Sequence, residues 1–143
     1  MARTDKFRLQ HNELMALANE LQGMLNEDAL SQDAAAARRC LGNLMGKLTM
    51  HLSTEDKVLY PELEANKDPA VASLAHRFAS EMKTTAASIT AYNGRWGTPS
   101  AIKANAHAFI KETKDVIKIL ADRIKRENQE LYATADRSEG KAF

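Results

Sequence analysis

The sequence predicts an all-α protein, an up-down-up-down bundle of four long helices. Three observations carry the prediction. Apolar residues recur in steps of three and four along most of the chain, the spacing of helices that bury one face. Only six glycines and three prolines interrupt 143 residues, which suits long helices and short loops. Aromatic residues are 6% of the chain, sparse for a β-sandwich or barrel.

The first helix is expected from Asp5 to Asn26, with a stripe of Phe7, His11, Leu14, Ala18, Leu21 and Leu25. Asn26-Glu-Asp28 and Ser31-Gln-Asp33 mark a turn and a fresh N-cap. The second helix is expected from Gln32 to Ala65, favoured at its start by the alanine run 34–37. Its stripe is Leu41, Leu44, Leu48, His51, Glu55 and Val58, and Pro61 should kink it. Asp68 followed by Pro69 reads as a cap and a first helical position. The third helix then runs to Arg95 on Val71, Leu74, Ala75, Phe78, Met82, Ala86 and Ile89, with Tyr92 or Asn93 and then Trp96. Gly94 and Gly97-Thr-Pro99 close it. The fourth, Pro99 to Thr134, carries Ala106, Phe109, Thr113, Val116, Leu120, Arg123 with Ile124, Glu127 and Leu131. The bundle should therefore occupy 1–134, leaving 135–143 as a polar, frayed C-terminal tail.

Composition narrows the function. The chain is long enough for one domain with a real core, and 44% of it is hydrophobic. A formal net charge of +1 with no concentrated basic face argues against nucleic acid as a partner. No apolar run reaches the length of a membrane span, and no signal-peptide core follows the N-terminal Met-Ala-Arg-Thr-Asp-Lys, so the expected location is cytoplasmic. The single cysteine, Cys40, can form no intrachain disulfide and reads as small core filler. There is no Ser/His/Asp arrangement at one level and no glycine-rich phosphate loop, so an enzyme is not the expectation.

The chemistry gathers around His51-Leu-Ser-Thr-Glu55-Asp-Lys-Val-Leu-Tyr60-Pro61. His51 and Glu55, four apart, share one helical face, and that face is the core stripe. A buried imidazole and carboxylate need a partner, because burying them unpaired costs on the order of several kcal/mol. The segment repeats. Arg123, Glu127, Leu131 and Tyr132 stand at one common offset from His51, Glu55, Leu59 and Tyr60. The same offset applied to His11 lands beside Met82, the nearest stripe residue. Each half thus offers three inward positions: His11, His51 and Glu55 in the first, Met82, Arg123 and Glu127 in the second. Two imidazoles and a carboxylate per half would make a dinuclear metal site with bridging carboxylates; the second half keeps only its carboxylate.

In His11, the His51-x-x-x-Glu55-x-x-x-Leu-Tyr-Pro run and Glu127 with Leu131-Tyr132, the chain resembles the hemerythrin-like (HHE cation-binding) domain family over all four helices. The resemblance implies a hemerythrin-like bundle, non-haem iron, commonly a di-iron centre, and roles in oxygen binding, nitric oxide response or iron sensing. The family usually has histidine where this chain has Met82 and Arg123. Arg offers no lone pair to a metal, and a thioether is a soft donor ill matched to oxygen-rich iron. The second metal is therefore expected to be lost, with the Arg123 guanidinium in its place, forked onto Glu55 or Glu127.

Two readings stand side by side. In one, a single metal is held by His11, His51, Glu55 and Glu127, and a small diatomic molecule is its partner. In the other, the bundle holds no metal, Arg123 neutralises the core carboxylates, and the protein is an interaction or homodimerisation module. Glu81, beside Met82, could add a carboxylate or pair with Arg123. His76 and His107 fall off the stripes and should face solvent. Tyr60 and Tyr132 are expected to pack at the bundle end with wet hydroxyls, and Trp96 to cap it.

Overall fold

A computed structural model describes residues 4–141, all of them in helices and short connections. Residues 1–3 of the expected domain and 142–143 of the expected tail lie outside them.

Four long helical segments form the frame: α1 (Asp5–Gln22), α3 (Ala35–Thr54) with its extension, α5 (Pro69–Arg95) and α7 (Ala106–Arg126) with its own. Cross-helix bonds give their directions. Lys47 reaches Glu13, while Cys40, nearer the start of α3, meets the Leu17 carbonyl farther along α1, so α1 and α3 run antiparallel. Arg123 meets the Phe78 carbonyl and Thr113 meets Tyr92, so α5 and α7 do too. The third helix has the expected bounds: Asp68 accepts from the Ala70 N–H at 3.0 Å and Pro69 opens the first turn.

The first helix stops four residues short of its expected end, because Asn26 starts a separate helix α2 (Glu27–Gln32) by accepting from Ala29 N–H. A six-residue helix is too short to show a period. The expected fourth helix is broken at Asn105 into α6 (Pro99–Ala104) and α7.

The larger correction concerns the two repeat segments. Both α3 and α7 pass into a π-helical turn that begins at a stripe glutamate: Glu55–Leu59, before α4 (Tyr60–Glu64), and Glu127–Tyr132, before α8 (Ala133–Lys141). A π-turn absorbs one extra residue, and such turns recur at functional sites. Its consequence is visible at once. Val58, expected on the stripe, is half exposed, and Leu59 and Tyr60 are buried instead. Pro61 produces no break of its own. The Tyr60 N–H already bonds five back to Glu55, and the proline's missing donor falls where i→i+4 bonding resumes.

The tail expected from 135 is helical through Lys141. Ala135 is fully buried, and Asp136 ties the chain's two ends by accepting from Thr4 Oγ1 at 2.6 Å and from Arg8 at 3.3 Å.

Elsewhere most stripe residues are buried as expected, in two apolar clusters; Leu25, Leu74, Ala86 and Val116 are half-buried, and Ile117 is buried beside Val116. One gathers Leu14, Leu41, Leu48, Phe109 and Trp96; the other Phe7, Leu59, Phe78 and Leu131. Between them, on three of the four long segments, lies one layer of polar side chains: His11, His51, Glu55, Arg123 and Glu127. Cys40 is buried in the larger cluster, where desolvation, and then Glu20, raise its thiol pKa.

A candidate metal centre

Histidine 11 enters from α1, His51 from the last turn of α3, and Glu55 and Glu127 from the first residues of the π-turns. One ligand atom from each lies within 4.8 Å of all the others. Their side chains are at most 2% exposed. His11 Nε2 is 2.9 Å from Glu127 Oε1 and 3.0 Å from His51 Nε2. His51 Nε2 is 3.3 Å from Glu55 Oε1 and 3.8 Å from Glu127 Oε1. His76 and His107 are exposed and far in kind from this layer, as expected; His107 approaches only Glu27 on the surface.

The outer ring nitrogens set the chemistry. His11 Nδ1 donates to Asn128 Oδ1 at 2.9 Å, and His51 Nδ1 to Gln10 Oε1 at 2.6 Å. Both imidazoles are thereby fixed with Nε2 turned inward, the way outer partners orient metal-binding histidines. Two neutral rings so arranged would point bare lone pairs at each other across 3.0 Å. The arrangement requires a cation between them, either a proton or a metal. Glu55 Oε1, buried with no hydrogen-bond partner, adds an idle acceptor to the same space.

The separations suit a metal. Metal–ligand bonds of about 2.1 Å put neighbouring ligand atoms about 3.0 Å apart in an octahedral shell and about 3.4 Å apart in a tetrahedral one. Two imidazoles and two carboxylates form a donor set suited to iron, manganese or zinc.

Both tyrosines correct the expectation. Their hydroxyls are buried and point into the polar layer. Tyr132 Oη donates to Glu55 Oε2 at 2.8 Å and lies 3.1 Å from His11 Nε2 and 3.4 Å from His51 Nε2. Tyr60 Oη donates to Glu127 Oε2 at 3.3 Å. On an unbroken α-helix, five residues past the glutamate lies roughly 140° round at about 100° per residue. The π-turn reduces that angle and turns each tyrosine inward, where its hydroxyl bonds the glutamate of the other segment.

Arg123 also sits differently from expectation. It makes no fork on Glu55 or Glu127. Its Nη2 donates to the Phe78 carbonyl at 2.8 Å and to Tyr60 Oη at 3.2 Å, and its Nη1 reaches Glu81 at 3.3 Å. Only Nε faces Glu127 Oε2, at 3.5 Å, as an ion pair without a hydrogen bond. Glu81 is thus a partner of Arg123, and also of Arg126 at 2.8 Å. The hydrogen bond and charge of Arg126 are the main reason its carboxyl pKa is lowered. Met82 is buried one turn beyond Phe78. Glu127 spans the two halves: Oε1 faces the histidines, Oε2 faces Arg123 and Tyr60.

Burial disfavours a charged His51, but the carboxylates of Glu127 and Glu55 outweigh it and lift its pKa to about 9. Burial, with Glu127 beside it, raises Glu55 to about 7. Burial pushes Glu127 the same way, but His11 and His51 override it and hold that carboxyl low. Desolvation first, then the two carboxylates, raises the Tyr132 phenol. In the metal-free protein the cation between the imidazoles is therefore a proton on His51. A raised folded-state pKa means stability is fully present below the ordinary 6.5 and lost as pH climbs through about 9. Glu55, raised from 4.5 to about 7, acts in the same direction over its own range. The denaturant midpoint of the metal-free protein is expected to fall steadily across these windows, measured by urea titration at graded pH. A midpoint that instead rises over this interval contradicts the assigned proton.

A helical bundle with one buried layer of histidines and carboxylates defines a class of metal-binding bundle proteins. The chain belongs to the Hemerythrin HHE cation binding domain family, whose profile matches residues 3–135. Comparison with curated proteins and with solved structures finds no match.

Proposed function

We propose that the protein binds one metal ion, iron, through His11, His51, Glu55 and Glu127, and uses it to sense oxygen, nitric oxide or redox state, or to handle metal. The observation that carries this reading is the convergence of four buried donor atoms within 4.8 Å, with both imidazoles pinned by their outer nitrogens. The family supplies cation binding. The bound ion would supply Lewis acidity and a one-electron couple at the centre of the bundle. Burial of the layer favours a small diatomic partner over a bulky substrate, and so sensing over turnover. Among the described residues no helix is long and apolar enough to cross a membrane. A cytoplasmic location and a homodimer belong to the same proposal.

The test is anaerobic reconstitution of the metal-free chain with Fe(II), followed by metal analysis. About one iron per chain is expected. His51→Ala should weaken retention by more than about 100-fold, beyond the ~10–100-fold typical of losing an outer partner. Iron well below one per chain would leave the second reading, a metal-free interaction module. That reading draws on the Arg123–Glu127 ion pair, which already offsets one buried carboxylate.

A further inference from the structure

We propose that Tyr132 is a fifth protein ligand of this centre, binding ferric iron through its phenolate oxygen. The inference rests on the single-metal reading and adds a donor that the histidine and glutamate pattern does not contain.

The hydroxyl of Tyr132 stands 2.8 Å from Glu55 Oε2, 3.1 Å from His11 Nε2 and 3.4 Å from His51 Nε2. The two distances to imidazole nitrogens are the spacings of neighbouring ligands about one metal, about 3.0–3.4 Å for bonds of about 2.1 Å, and the carboxylate contact is a hydrogen bond slightly shorter than that range. The ring cannot swing away easily: it stacks on His11 with centroids 5.1 Å apart, lies 5.8 Å from Phe7, and is fully buried. The π-turn Glu127–Tyr132 is what aims it inward.

Its repeat counterpart is not equivalent. Tyr60 Oη accepts from Arg123 and meets only the far oxygen of Glu127. The third tyrosine, Tyr92, bonds Thr113 in a different layer. A hard trivalent cation favours an anionic oxygen and reverses the local balance that keeps this phenol protonated. Binding forms an Fe–O bond and breaks the phenol O–H bond. The proton leaves to the buffer, and the iron remains ferric.

The metal-free full chain is loaded with ferric nitrilotriacetate and its visible and resonance Raman spectra are recorded. Wild type and Tyr60→Phe should show a phenolate-to-iron charge-transfer band in the visible. Tyr132→Phe should lose it, whether or not it keeps its iron. If Tyr132→Phe does not fold, ring-deuterated tyrosine in wild type and Tyr60→Phe still tests the assignment, because the Raman modes of the band must shift. Iron-loaded wild type with no such band overturns the Tyr132 assignment and leaves the metal site standing; so does a band that survives Tyr132→Phe. Wild type that retains no ferric iron and no Fe(II) overturns both.

Discussion

Replacing Met82 and Arg123 together with histidine is expected to raise bound iron from about one to about two per chain. The repeat supplies the reason. Glu55 and Glu127 open equivalent π-turns, and Tyr60 and Tyr132 follow at equivalent positions, each bonding the glutamate of the other segment. What differs is the nitrogen set. On one side of Glu127 stand two imidazoles; on the other stands a guanidinium, a cation with no lone pair. The Oε2 atom of Glu127 and the hydroxyl of Tyr60 already face that side, so two oxygen groups await a second ion once the cation is gone. Met82→His alone should add little, because Arg123 would still repel the metal. Anaerobic Fe(II) loading and metal analysis of the two single variants and the double variant check this. A double variant that folds but still holds about one iron sinks the claim that Arg123 stands where a second metal would.

Much of this was legible in the residues. Steps of three and four placed Phe7, His11 and Leu14 on one face of α1, and Phe78 and Met82 on one face of α5. The periodic pattern also brought His11, His51, Glu55 and Glu127 to one level. What it hid follows from one local event. No residue type announces a π-turn, and a stripe drawn at the α-helical period put Val58 inside and Tyr60 at the rim. The one available signal was that Tyr60 and Tyr132 occupy matched repeat positions, which is more than end packing demands. Gln10 and Asn128 were missed for another reason. Each is next in sequence to one site residue but bonds a different one across the bundle: Gln10 holds His51, and Asn128 holds His11. Such crossed pairings depend on helix rotation, which spacing along one chain does not specify. The direction of Arg123 was likewise decided by a carbonyl, that of Phe78, and carbonyls carry no sequence signature.

Arg123→Ala is expected to separate the metal-bound and metal-free states of the protein by destabilising the metal-free state more. Without metal, the guanidinium is the nearest permanent cation to Glu127, 3.5 Å away and 7% exposed. It also packs over the Phe78 ring, 4.6 Å from its centroid. Removing one partner of a buried ion pair costs about 3–5 kcal/mol when the other charge is left uncompensated. Here the proton on His51 still faces Glu127, so the loss is smaller, about 1–3 kcal/mol, and the fall in Tm is about 5 °C or more. An ion bound between the histidines supplies positive charge to the same carboxylate, through Oε1. Its presence should therefore recover part of the loss. Linkage then requires the converse: a protein that lacks Arg123 binds the metal more tightly, by about tenfold at the scale usual for coupled sites. Thermal unfolding of both proteins, with and without Fe(II), together with competition against a chelator, measures both arms of the cycle. Tighter metal binding with a less stable apo form identifies Arg123 as a charge substitute. Weaker binding would mean instead that Arg123 serves the metal by holding Glu127 and Tyr60 in place, and the idea of a cation standing in for a lost ion would fail.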